Sequence, residues 1–144
     1  MKARFLIFSV CILSAIQTAV LADDVKSLQG VWKPEKAELA GTAMPEAAIK
    51  TITLKIKGDK YEVTVEGEGP DKGTCKLDTK AKPKRMSIYS IEGANKGKTF
   101  PAIYEVKGDT LKVCYDLSGK DYPAEFKTAK KTMLYLVTYR RQKQ

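Results

Sequence analysis

The stretch Phe100–Leu117, FPAIYEVKGDTLKVCYDL, decides how this chain folds. Two runs of alternating apolar residues flank Gly108-Asp109, a two-residue turn whose twist suits antiparallel strands. Closing the turn at Lys107 and Thr110 sets every later pair. Val106 faces Leu111, Tyr104 faces Val113, Ala102 faces Tyr115 and Phe100 faces Leu117. On the other face Glu105 lies opposite Lys112, and Ile103 opposite Cys114. A slip of one residue would exchange the two faces, so burial of the first face specifies the register. The Glu105–Lys112 pair adds at most ~1 kcal/mol; it tunes register and does not drive folding.

The same device stands earlier in the chain, at Ile52–Val65, ITLKIKGDKYEVTV, with the turn Gly58-Asp59. Ile56 faces Tyr61, Leu54 faces Val63 and Ile52 faces Val65, while Lys55 meets Glu62 and Thr53 meets Thr64. Two hairpins with Lys-Gly-Asp turns and the same one-sided pattern argue for one continuous sheet with one buried face. A repeat architecture would repeat more than a turn.

Around the hairpins the elements follow in order. Asp23–Leu28 reads as a polar entry of one helical turn. A first strand runs from about Leu28 to Leu39 and is broken at Gly41-Thr42. Pro45–Lys50 is a short helix with Pro at its first position. Gly67–Gly73 is dense in turn residues. Strands follow at Thr74–Thr79 and Arg85–Ile91, then loops at Gly93–Lys98 and Ser118–Pro123, with a brief extension at Ala124–Phe126. The last strand, Thr132–Arg140, is apolar on both faces and must be paired on both sides or covered. About eight strands and one short helix, with turn signals every 8–12 residues, predict an all-β antiparallel sandwich or barrel. Up-and-down order is simplest, with the last strand closing onto the first.

The N-terminus reads MKARFLIFSVCILSAIQTAVLA: basic Lys2 and Arg4, an apolar run, then small or permissive residues before Asp23. This is the pattern of a secretory signal peptide, residues 1–22; the alternative is an uncleaved anchor. Cys11 lies within the apolar run and not at its end, which argues against a lipoprotein anchor. Cleavage leaves residues 23–144 as one domain, with no further stretch long enough to span a membrane. Loss of Lys2 and Arg4 lowers the net charge from +9 to +7. That surplus is either a soluble surface or an attraction to an acidic polymer, an anionic lipid or a nucleic acid. No stripe or aromatic-interleaved patch singles out nucleic acid.

Catalytic and metal chemistry find little material. The chain has no histidine, which removes Ser-His-Asp and Cys-His catalysis and most zinc sites. Two cysteines follow the leader, Cys75 and Cys114. The register puts Cys114 on the outer face and Cys75 with Leu77 on the inner one, so they are expected as free thiols. Gly93-Ala94-Asn95-Lys96-Gly97-Lys98-Thr99 looks like a phosphate loop but is one residue short, and a strand follows where a helix is needed. Glu66 with Glu68, and Asp116 with Asp121, are carboxylate pairs on strand ends and loops, where solvated acids are usual. The expectation is a non-enzyme without cofactor or metal.

Several segments together resemble a known family: LQGVW at 28–32, MPEAAIKTITLKIKGDKY at 44–61, GTCKLD at 73–78, EGANKGKT at 92–99, AIYEVKGDTLKVCYD at 102–116 and YPAEF at 122–126. In this order they are similar to the small, exported, lipocalin-like domain abundant in planctomycete bacteria, whose biochemical activity is uncharacterised. The resemblance implies an up-and-down lipocalin-like β-barrel over nearly all of residues 23–144. It also implies that Gly30-x-Trp32 opens the first strand, with Trp32 plugging the closed end and Arg140 or Arg141 lying over it. Trp32, Tyr61, Tyr104, Val113 and Tyr115 are the candidate interior residues for a ligand. The expected function is an exported, monomeric, non-enzymatic domain that binds a small apolar or amphipathic molecule. The alternative is a basic cell-envelope protein that binds an acidic polymer or a partner protein.

Overall fold

The computed structural model describes residues 11–143, with side chains from residue 19 onward. Lys2, Arg4 and the first part of the apolar run lie outside the described residues. Helix α1 spans Cys11–Leu28 and leads into strand β1, Gly30–Leu39. A two-residue strand β2, Thr42–Ala43, and a single-turn helix α2, Glu46–Ile49, precede two hairpins' worth of strands: β3 (Ile52–Lys57), β4 (Lys60–Val65), β5 (Asp71–Asp78) and β6 (Arg85–Glu92). Then come β7 (Thr99–Lys107), β8 (Thr110–Asp116) and β9 (Leu134–Arg141).

Strands β1 and β3–β9 pair sequentially and antiparallel, and β9 pairs back onto β1. The result is a closed eight-stranded barrel, with β2 folded onto the end of β1 as an extra strand. Closure removes the edge that an apolar β9 would otherwise expose. Both expected hairpin registers hold: Val106 pairs with Leu111, Tyr104 with Val113 and Ala102 with Tyr115, and Ile56 pairs with Tyr61 and Leu54 with Val63. The inner face forms one core in which Trp32, Tyr104, Leu111, Val113 and Val137 are fully buried. On the outer face Lys55, Glu62, Lys72 and Glu92 stand in one cross-strand row over β3–β6. The row alternates in sign, and Lys72 meets Glu92 at 3.6 Å; such ladders favour one register over its neighbours.

Several expected boundaries move. The entry at Asp23–Leu28 is the end of a continuous helix, so β1 begins at Gly30 and not at Leu28. Pro45 sits at the N-cap of α2 with φ −59 and ψ 143, one position before the helix. β5 starts at Asp71, inside the expected loop, because Asp71–Lys72 already pair with β4. No strand forms at Ala124–Phe126. Instead the long connection between β8 and β9 packs over the outer wall. Arg85 lies 4.6 Å from the Tyr122 ring centroid, and Lys112 5.8 Å from that of Phe126. The Thr128 hydroxyl donates to Glu38 and accepts from the Gly41 N–H at 2.9 Å. This cover explains why Ile103 and Cys114, on the outward side of the register, are fully buried.

Candidate functional site

The end of the barrel where α1 arrives is built around Trp32. Its indole N–H donates to the Leu28 carbonyl at 2.9 Å. The Arg141 guanidinium lies 4.3 Å from its ring centroid, close enough for a cation–π contact. That guanidinium also donates to the carbonyls of Gln29, Ser27 and Gly108 and to the Asp109 carboxylate. Gly30 has φ +127, and a Cβ there would come within 3.2 Å of the Arg141 guanidinium. Of the two candidate arginines, only Arg141 covers Trp32. Arg140 points outward from the same strand and pairs with Glu35 at 2.5 Å on an exposed face. Strand alternation decides this, since adjacent residues face opposite ways.

A second fixture holds α1 itself. The buried Asp24 carboxylate accepts from the Tyr104 hydroxyl at 2.7 Å and from the Lys84 ammonium at 2.8 Å. Burial and the neighbouring Asp24 charge both hold the Tyr104 hydroxyl well above the ordinary tyrosine range. The side-chain amide of Gln29 clasps the β3–β4 turn, accepting from the Gly58 N–H at 2.6 Å and donating to the Gly58 carbonyl at 3.1 Å. The α1 segment is therefore part of the barrel's closure from Asp24 onward.

Inside, the space is small. The interior cavity has a volume of about 50 Å³, lined by Leu54, Tyr61, Ile88, Val113 and Tyr115 among others. That holds a few heavy atoms, far below the roughly 300–1,000 Å³ of ordinary ligand sites. Tyr61, Val113 and Tyr115 thus share the cavity wall as expected, whereas Trp32 and Tyr104 do not line it and belong to the closed end. The buried tyrosine hydroxyls all find side-chain partners. Tyr115 and Tyr139 share a hydrogen bond of 2.8 Å, and Tyr61 donates to Asp71 at 3.1 Å. Burial pushes Tyr61 up to about 12.

Asp71 is the hub of a polar cluster absent from the sequence expectations. It accepts from Ser90 Oγ at 2.6 Å and from Asn95 Nδ2 at 2.7 Å. Asn95 belongs to the Gly93–Thr99 stretch, which is a β6–β7 hairpin loop folded onto Asp71 and not a phosphate cradle. The Tyr61 ring reaches the cluster by crossing Gly73, where a Cβ would sit 2.8 Å from Tyr61 Cε1 and 1.8 Å from the Tyr89 carbonyl oxygen. A glycine inside a strand marks such a close approach, but Gly73 ends the loop expected from the sequence and lies inside a strand only in the structure. Asp116, on the outer side, is occupied as a loop cap: burial raises its carboxyl, but donors from Ser118, Asp121 and Lys120 outweigh that and lower it. Cys75 packs against the core and Cys114 beneath the β8–β9 connection, 3.7 Å from the Lys127 carbonyl; both are free thiols. Burial pushes Cys75 up to about 12 and raises Cys114, the reverse of what a nucleophile needs. Among the described residues no group of three metal-ligating side chains forms.

A larger hollow lies between α1 and the end of the barrel. It measures about 510 Å³ and is walled by Leu21, Val25 and Leu28 of the helix and by Ile56, Leu77 and Met86 of the strands. Lys76 stands at its rim. Ile56, Cys75 and Met86 line both this groove and the interior cavity, so the two spaces adjoin. No protein-family model, no curated protein and no solved structure matches this chain.

Proposed function

We propose that the chain is an exported, non-enzymatic, lipocalin-like barrel that binds a small amphipathic molecule in the groove under α1, with the apolar part against Val25, Leu28, Leu77 and Met86 and an anionic head near Lys76. The carrying observation is the contrast in volume, about 510 Å³ for the groove against about 50 Å³ inside the barrel. Of these two only the groove falls in the range of ligand sites, and among the hollows of comparable size it is the one with the most apolar walls. The lining is mostly apolar and carries one cation, Lys76, and one carboxylate, Asp59; the Lys76 ammonium is the partner an acidic end would take.

Export is supported by the apolar run before Asp23 and by the burial pattern of α1. Leu21, Ala22 and Asp23 are exposed, and Asp24 is buried. A peptidase acting between Ala22 and Asp23 would remove Leu21 from the groove wall and leave Val25, Leu28 and the Asp24 fixture in place. The Arg141-covered Trp32 beside Gly30 supports the lipocalin-like kinship. The test is a titration with a medium-chain fatty acid, read by methyl NMR. The expected result is shifts at Val25, Leu28, Ile56 and Leu77. Shifts confined to Leu54 and Val113 would return the ligand to the barrel interior, and no saturable shift would end the binding reading.

A further inference from the structure

We infer that the outer face of β6 is a binding track for a linear polysaccharide that carries carboxylates. Strand alternation turns Arg85, Ser87 and Tyr89 outward. Tyr89 is 46% exposed, and its cross-strand neighbours are Thr74 and Thr99, so the phenol ring stands between two hydroxyls. A ridge rises on the β7 side of the strand. A Cβ on Gly119 would meet the Thr99 carbonyl oxygen at 3.0 Å, and Tyr122 reaches the Arg85 guanidinium. The β8–β9 connection therefore runs along β7 and covers Pro101 and Ile103, which are buried. The outward side chains of β6 lie at the foot of that ridge, in a trough. From Arg85 to Tyr89 the trough is about 13 Å long, at about 3.3 Å per residue. Arg85, Tyr89 and Tyr122 line no part of the groove under α1, so this site stands apart from the ligand proposed there.

Arg85 supplies the carboxylate specificity. Its cross-strand partner is Asp78, but that carboxylate accepts from the N–H groups of Lys80 and Ala81. Arg85 itself has no ion-pair partner among the described residues. The guanidinium is thus held over the Tyr122 ring while its charge stays uncommitted, the arrangement that bidentate recognition of a carboxylate needs. The other charges around the track are mixed, Lys76, Lys98 and Lys120 against Asp78 and Asp121, with Lys72 paired to Glu92. Preference for an acidic sugar over a neutral one therefore rests on Arg85 and not on massed charge. Tyr89 offers the negative face of its ring to the C–H side of a pyranose, and Ser87, Thr74 and Thr99 offer hydroxyls beside it. A peptide strand is disfavoured, because the β6 backbone is already paired with β5 and β7 and cannot take an added strand.

The test is calorimetric titration of the protein with hexagalacturonate and with cellohexaose, a neutral chain of the same length. Hexagalacturonate is expected to bind about tenfold more tightly, the difference that a charge-assisted bidentate contact makes. Arg85→Lys is expected to bring the ratio towards one, because an ammonium neither lies flat on Tyr122 nor forks onto a carboxylate. Tyr89→Ala is expected to weaken both sugars alike, by about fivefold, since stacking is indifferent to the charge of the sugar. Both positions are exposed, and both variants are expected to keep the melting temperature and the Trp32 emission of the parent. Absence of saturable hexagalacturonate binding, equal affinity for cellohexaose, an unchanged ratio in Arg85→Lys or undiminished binding by Tyr89→Ala would each overturn the inference. Displacement of hexagalacturonate by polyglutamate at equal carboxylate concentration would overturn it too, and would assign the track to an acidic peptide. Fatty-acid binding by the two variants, read separately, keeps failure of this track distinct from failure of the groove.

Discussion

The hydroxyl of Tyr104, at the middle of β7, donates to the carboxylate of Asp24, at the last turns of α1, across 2.7 Å. The contact spans most of the chain and ties the N-terminal helix to the barrel floor. Lys84 completes it. Removing either partner strands a buried polar group, which costs about 1–3 kcal/mol. Tyr104→Phe and Asp24→Ala are each expected to lower the unfolding free energy by about that much, and the double variant by less than the sum, with a coupling of about 0.5–3 kcal/mol. Urea titrations of the four species measure it. Strict additivity would mean that the two groups do not interact.

Arg141 and Arg140 are neighbours in sequence with opposite fates. Arg141 stacks on Trp32 and donates to three carbonyls, so Arg141→Ala loses stem packing as well as charge. A loss of about 2–4 kcal/mol is expected, together with a red shift of the emission of Trp32, the sole tryptophan. Trp32→Ala is expected to cost about 3–5 kcal/mol. Arg140→Ala removes one exposed pair with Glu35 and is expected to leave the melting temperature and the emission unchanged, as isolated surface pairs do. Equal effects of the two arginine substitutions would refute the assignment.

What the sequence made legible was the periodic part. The turns at Gly58-Asp59 and Gly108-Asp109 set the register of four strands, and with it the inward face of Tyr61, Tyr104 and Tyr115 and the outward face of Cys114. Closure onto β1 was legible from a last strand with no polar face. Contacts between residues far apart in sequence were not. Nothing local at Asp24 announces Lys84 and Tyr104, and nothing at Asp71 announces Asn95. The groove under α1 was also beyond reach, because the helix continues across the point where the composition changes at Asp23. Residue volumes alone do not say whether a barrel is filled; here ring packing and the Tyr115–Tyr139 hydrogen bond close most of the interior.

Gly73 offers a sharp steric test. A Cβ there would meet the Tyr89 carbonyl at 1.8 Å and the Tyr61 ring at 2.8 Å, and the first of these is backbone that can yield only by breaking the β5–β6 ladder. Gly73→Ala is expected to destabilise by more than about 3 kcal/mol or to abolish folding. Gly58→Ala meets nothing within 4 Å, and its cost is only that of a left-handed backbone, about 1–2 kcal/mol. Thermal unfolding of the pair gives the comparison; a Gly73→Ala protein as stable as Gly58→Ala would show that Tyr61 does not cross the strand there.

Buried thiol and phenol groups set the alkaline limit of the fold. Cys75 and Tyr61 are pushed up to about 12, and Tyr104, Tyr115 and Tyr139 are also held above the ordinary tyrosine value, burial being the largest cause in each. In the unfolded chain these groups ionise near about 8.5 for cysteine and about 10 for tyrosine. Between the unfolded and folded values the native state holds more protons than the unfolded one, so stability falls as pH rises. The contribution is complete below about pH 8.5 and is lost progressively towards about pH 12. The melting temperature is therefore expected to decline from about pH 9; in a Tyr89→Phe/Tyr122→Phe background, which removes the two exposed tyrosines, phenolate absorbance is expected together with unfolding and not before it. Alkylation of Cys75 and Cys114 at about pH 8 should likewise be slow in the native protein and fast in denaturant, since burial suppresses the thiolate. Phenolate absorbance rising near pH 10 in a still-folded barrel of that double variant would mean that the interior tyrosines stand in water and that the barrel interior is open.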